Sequence, residues 1–290
     1  MIKLSASIKN TKIIVSKVAV KDNLNAAINN AVELIGGFEK IISSEEKILI
    51  KGNFNSPNRY PASSDPNFIR SVVKMLRANG VTDISLGASC GLAWQPTARV
   101  LKKKRVYKLA DELEIKLINF DEGEWVKIDI DGHYLKSVSI TKAAFDADKI
   151  IYLPNMKTHS HARFSMSLKF AVGLTGPFIR RKIHMDHLEE KVVEINLAVK
   201  PDLIILDARK CLVTGGPAKG KRKKAGLVLA STDLVALDVE ALKILKSFNA
   251  RNKLDMFVWE LPQIDYARRL KLGVQKEDDY LLVSDDYNSV

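Results

Sequence analysis

The chain has 290 residues, 46% of them apolar and 28% charged, with a net charge of +12. This composition is that of a soluble globular protein with room for one large α/β domain or two lobes, and it excludes a membrane span, since no run approaches the roughly 20 apolar residues needed. Two cysteines, Cys90 and Cys211, exclude a disulfide framework, and together with the lack of a signal-peptide stretch they point to the cytoplasm.

In chain order, "KDNLNAAINNAVELIGG" predicts a helix with Asp22 at its cap. Leu24, Ala27, Ile28, Ala31 and Leu34 share one face, and Gly36 and Gly37 end it. Lys47 to Asn53 reads as a short apolar strand. "SDPNFIRSVVKMLRANG" predicts a helix with Asp65 at the cap, Pro66 at the first helical position and Gly80 as the stop. A strand "TDISLG", a helix "RVYKLADELE" and a strand "IKLINF" follow. "EWVKIDIDGHYLKSVSI" departs from this alternation and predicts a β-hairpin insertion around 124–140, turning at Asp131-Gly132. The alternation then resumes. "KIIYLP" is a strand that breaks at Pro154, and a helix around "LEEKVVEINLAVK" follows it. Next come the strands "DLIILDA" and "GLVLAS" and the helix "DLVALDVEALKILK".

Short apolar strands alternating with amphipathic helices predict an α/β fold with a mostly parallel sheet, covered by helices on both faces. We divide the chain into an N-terminal strand and helix (1–46), an α/β core (47–248) and a C-terminal helical extension (249–290). Ligands of such sheets bind beyond the carboxyl ends of the strands. Four loops occupy that position: "GNFNSPNRYPASSD", "GASCGLAWQP", "NMKTHSH" and "ARKCLVTGGPAKG". All are polar or glycine-rich and are expected to converge on one crevice.

His159, His161, His184 and His187 are candidate metal ligands, the first two at strand spacing and the last two at helix spacing. The charge count favours an anion instead. Lys157, Arg163, Lys169, Arg180, Arg181 and Lys182 lie between Asn155 and His187 with one carboxylate, Asp186. A bare divalent cation would be repelled there. Lys157 and Lys169 can act as point charges for an anion, and His159 as a hydrogen-bond donor or acid/base. Lys157 and His159 are therefore the candidate catalytic pair. Lys51 and Asn53 follow a strand directly and can point into the crevice. Ser63 and Ser64 precede a helix start whose amides could take an anion. The blocks Lys102–Arg105 and Lys219–Lys224 carry much of the excess charge. Such blocks bind nucleic acid or acidic partners, or serve solubility.

The order of these motifs resembles the DUF362 family, a domain of unknown function sometimes fused to iron–sulfur ferredoxin modules. The likeness is carried by "ILIKGNFNSP", "DPNFIRSVVKMLRANGVTDISLG", "DADKIIYLPNMKTHSHARFSMSLKFAVGL", "DLIILDA" followed by "GGPAKG", and "LVLASTDLVALDVEALKIL". It implies that Lys51, Asn53, Lys157, His159, Lys169, Gly215, Gly216, Pro217 and Asp233 occupy the family's recurring positions. Gly52, Gly87–Ser89 and Phe170 depart from the family pattern. The ferredoxin cysteines are missing, so no iron–sulfur cluster is expected on this chain. A looser likeness, without residue-by-residue alignment, is to the lactate racemase family, in which Lys and His hold a nickel pincer cofactor.

The leading expectation is thus a protein that binds an anionic small molecule or cofactor, with phosphate or carboxylate groups, and that has acid/base groups at hand. The binding set is Lys51, Asn53, Lys169, Gly215, Gly216 and Lys219 around Lys157 and His159. The alternatives are a nucleic-acid-binding protein using its basic loops and a His-based metal or electron-transfer accessory protein. The oligomeric state is left open.

Overall fold

The computed structural model describes residues 12–91 and 95–285. Residues 1–11 of the N-terminal segment, 92–94 of the second crevice loop and 286–290 lie outside the described residues. The chain opens with β1 (Ile13–Ala19), α1 (Leu24–Glu33), β2 (Ile48–Lys51), α2 (Pro66–Ala78), β3 (Ile84–Ala88), α3 (Thr97–Lys103), α4 (Val106–Glu112) and β4 (Lys116–Asn119). The hairpin strands β5 (Trp125–Asp129) and β6 (Ser137–Thr141) come next, followed by α5 (Ala143–Asp146), β7 (Lys149–Tyr152), β8 (Asn155–His159) and β9 (Arg163–Phe164). Then come α6 (Ser167–Phe170), α7 (Pro177–Ile183) and α8 (Leu188–Glu194). The chain closes with β10 (Leu203–Leu212), β11 (Arg222–Ser231), α9 (Leu234–Ser247), α10 (Pro262–Arg269) and β12 (Tyr280–Ser284).

The main sheet runs β12-β1-β11-β10-β7-β2-β3-β4. Its pairs from β10 through β4 are parallel, as is β1 with β12, and only β11 runs antiparallel to its neighbours β1 and β10. Strand periodicity explains why both faces are covered. Leu49, Ile150, Tyr152, Ile204 and Leu206 point to a cluster shared with α6, α8, α9 and α10. Their neighbours Ile48, Ile50, Ile151, Leu203 and Ile205 point to the other cluster, under α1, α2, α3 and α4. Each fully buried Ile or Leu here contributes roughly 2 kcal/mol of apolar transfer.

Local chemistry accounts for the helix starts. Asp65 accepts the Asn67 amide ahead of Pro66, and Asp233 accepts those of Val235 and Ala236. The cap of α1 is Asn23, not Asp22, with its side chain on the Ala26 amide.

Four expectations need correcting. The turn between β5 and β6 is not a tight Asp131-Gly132 pair, because residues 130–136 wrap the buried Glu194 carboxylate. That carboxylate accepts the amides of His133, Tyr134 and Leu135. The strand does not stop at Pro154 either. Proline withholds one donor, and β8 resumes beside the same partner, with Asn155 opposite Asp207. The Lys157-Thr158-His159 triplet therefore sits on a buried strand, not a loop. Likewise β10 continues to Leu212, so its following loop is only 213–221. Finally, the C-terminal extension is not wholly helical. After α10 the chain returns as β12, parallel to β1, with Tyr280 opposite Ile13.

Candidate functional site

The carboxyl ends of β2, β3, β8 and β10 face one cavity of about 380 Å³. Each expected crevice loop contributes to its wall. Lys51, Asn53 and Asn55 come from the first, Ser89 and Gly91 from the second, Lys157, His159 and His161 from the third, and Pro217 from the fourth. Lys169 and Phe170 of α6, the following Gly173, and Arg180 and His184 around α7 close it.

Lys51, Lys157 and Lys169 are only 5%, 3% and 8% exposed. A buried ammonium group is costly unless paired, so such groups are either compensated or shifted towards neutrality. The Lys51 Nζ lies 3.5 Å from the centre of the Phe170 ring and donates to the Gly52 carbonyl at 3.2 Å. A Cβ at Gly173 would stand 2.7 Å from that Nζ, so a residue without a side chain lets the ammonium sit there. The Lys157 Nζ donates to the Ala62 carbonyl at 2.9 Å. The Lys169 ammonium has no hydrogen-bond partner among the described residues.

Burial, then the charges of Lys157 and Arg180, lowers Lys51 to about 7. Burial and then Lys169 lower Lys157 to about 7, and burial lowers Lys169 to about 8. Arg180 differs from these lysines, because it pairs with Asp121 and donates to the Thr175 carbonyl at 2.8 Å. No carboxylate is among the described residues lining the cavity.

The surrounding shell holds these groups in place. Asn53 donates to Asn155 Oδ1 at 2.7 Å, tying the first loop to β8. Asp238 of α9 accepts the Ser167 and Leu168 amides at 2.8 and 2.9 Å and so fixes the start of α6, which carries Lys169. Burial raises Asp238 to about 7 despite those two donors.

The histidines are neutral hydrogen-bonding groups. His159 Nδ1 accepts the backbone amides of His161 and Ala162 at 3.2 and 3.0 Å, which places the ring proton on Nε2. Burial, then the charges of Lys169 and Lys157, lowers this ring to about 2. His184 Nδ1 donates to the Arg180 carbonyl at 2.6 Å, and burial, then Lys169, lowers it also.

The four-histidine metal set does not assemble. His187 adopts a left-handed backbone and stacks on Tyr134 at 4.3 Å, and it is not among the cavity-lining residues. Among the described residues no three His, Cys, Asp or Glu side chains are grouped to hold a metal ion. Spacing along a helix or strand showed only which side chains share a face, not which faces meet.

Gly215, Gly216 and Lys219 do not line the cavity among the described residues. Gly216 is needed for packing instead. Its φ is +71°, and a Cβ would fall 1.8 Å from the Thr158 carbonyl. Ser63 and Ser64 are occupied within their own loop, on the Ser56 carbonyl and the Asn53 amide. Cys211 is a buried thiol, raised to about 11 by burial.

Sequence reasoning missed Phe170, Asn155 and Asp121 as partners of the site. Phe170 was visible as a departure from the family pattern. Nothing local marked Asp121, which meets Arg180 only through the fold.

Comparison with known proteins gives three findings. The family described as a domain of unknown function (DUF362) matches residues 48–243. A thylakoid-associated protein of Synechocystis sp. is 26% identical over 248 residues, covering 82% of this chain and 75% of the relative. The lactate racemase apoprotein from Thermoanaerobacterium thermosaccharolyticum aligns with a TM-score of 0.49 at 14% identity, over 81% of this chain and 58% of that one. At that distance the structural likeness carries nothing about function. Among the described residues no helix is long and apolar enough to cross a membrane.

Proposed function

The chain belongs to the DUF362 family, and we propose that its cavity binds a small anion bearing carboxylate or phosphate groups, held by Lys51, Lys157 and Lys169. One observation carries this reading. The buried lysines converge on a concave site with no carboxylate among its described lining residues. An arriving anion supplies the missing counter-charge and raises the lysines back towards full protonation. His159, with its proton on Nε2, serves as a neutral hydrogen-bond donor to the same ligand. Its ring, lowered to about 2, is too weak a base for proton transfer near neutrality. That role falls to Lys51 or Lys157, at about 7. With the Cys211 thiol buried, we place the protein in the cytoplasm.

Isothermal titration with inorganic sulfate and phosphate tests the reading. The wild type is expected to bind, and the double variant K157M/K169M to lose binding at least about tenfold while folding normally. Methionine removes two desolvated charges at similar volume, so its thermal midpoint should equal or exceed that of the wild type. Unchanged anion affinity in a folded K157M/K169M protein would overturn the assignment.

A further inference from the structure

We infer that a second, exposed surface binds the phosphate backbone of a nucleic-acid duplex. The anion cavity uses neither of the basic blocks. The fold brings those blocks, more than a hundred positions apart, onto one side of the molecule. Lys104, at the end of α3, donates to the Asn58 carbonyl at 3.1 Å and lies within electrostatic reach of Arg59 and Asp65. Two residues along, the Tyr60 hydroxyl accepts the Lys210 amide at 2.8 Å. Lys210 is the direct cross-strand neighbour of Lys224, and Lys223 and Arg222 continue along β11 opposite Cys211 and Leu212.

The result is a continuous basic track. Lys102, Lys103 and Arg105 stand at one end, Arg59 and Lys210 in the middle, and Lys221–Lys224 on the hairpin at the other end. All of these are exposed, and none forms an ion pair among the described residues. Between Ala208 and Ser231 the sequence contains no acidic residue. Arg209 is the exception in charge state, because it is neutralised by Asp207 and Asp65. That pairing also pins the 53–65 loop to β10, so the track has a rigid floor.

Three features select a duplex backbone over other polyanions. A two-stranded antiparallel ribbon such as β10–β11 has a cross-section that a DNA major groove admits. A single exposed aromatic, Tyr107, flanks the track, so no stacking platform for single strands is present among the described residues. The exposed large apolar side chains lie elsewhere, at positions such as Phe178 and Phe257, so the hairpin has nothing to insert into a lipid surface. With contacts to phosphates alone, binding is expected to be indifferent to sequence and steep in salt.

The test uses the full chain and a labelled duplex of mixed sequence, read by fluorescence anisotropy. If six cations reach phosphates, affinity should fall about a thousandfold between roughly 50 and 200 mM salt. The hairpin variant K221E/R222E/K223E/K224E should lose at least about a hundredfold at low salt. The variant K102E/K103E/R105E should also weaken binding. Both should keep the wild-type circular dichroism spectrum and sulfate affinity, which separates this surface from the cavity. Absence of duplex binding by the wild type, equal affinity in both variants, or binding only to vesicles of anionic lipid would overturn the inference.

Discussion

Raising the pH should release the anion. In the ligand-free fold Lys51 and Lys157 lose their protons at about 7 and Lys169 at about 8, against 10.5 for an unburied lysine. Sulfate is the appropriate probe because its own charge is constant over this range. Each lysine that must regain a proton on binding weakens the affinity about tenfold per pH unit above its ligand-free value. If one of Lys51 and Lys157 must be charged, affinity falls about a hundredfold between roughly pH 7 and 9, and by more if both must be. At about pH 8 binding should take up one to two protons, measurable by calorimetry in buffers of different ionisation enthalpy. The stability of the ligand-free protein should move the other way. Between about 7 and 10.5 the unfolded chain holds more protons on these lysines than the folded one, so folding gains stability as pH rises through that window. Below about 7 both states are protonated and the burial penalty is constant. An affinity that is flat or rising from pH 6 to 9, without proton uptake, would refute the idea that desolvated lysines hold the anion.

Two substitutions probe the supports of the site. Gly216→Ala forces a left-handed alanine whose Cβ would lie 1.8 Å from the Thr158 carbonyl. It should cost about 3 kcal/mol or more in urea denaturation. A loss under about 1 kcal/mol would mean that the 213–221 loop is not held against β8 as described. Asp238→Ala strands the Ser167 and Leu168 amides and should destabilise by about 2–4 kcal/mol. It should also weaken sulfate binding, because α6 no longer presents Lys169 in place. Intact sulfate affinity in a destabilised Asp238→Ala protein would restrict Asp238 to a purely structural role.

Legibility in the sequence followed the range of each physical signal. Period-two burial along β2, β7 and β10 and the caps at Asp65 and Asp233 are local, and the layered, mostly parallel sheet could be read from them. The lysines were legible for a related reason. Lys51, Lys157 and Lys169 each lie close to a strand end, and the carboxyl edge of a parallel sheet is a shared destination. The histidines failed because shared spacing within an element does not bring two elements together. His187 has a different neighbour, Tyr134, which no pattern around residues 184–187 announces. Glycine is ambiguous in sequence, because the same missing Cβ that admits a ligand also admits a neighbouring backbone. At Gly216 the neighbour is Thr158, and at Gly173 it is the head of Lys51. Proline at 154 misled because it removes one donor without ending the ladder, and β10 is long enough to receive the strand again beyond it. Phe170 departs from the family pattern in a polar neighbourhood, yet it provides the ring face under the Lys51 ammonium. A polar side chain in its place would leave that ammonium without the ring, so the departure belongs to the chemistry of the cavity.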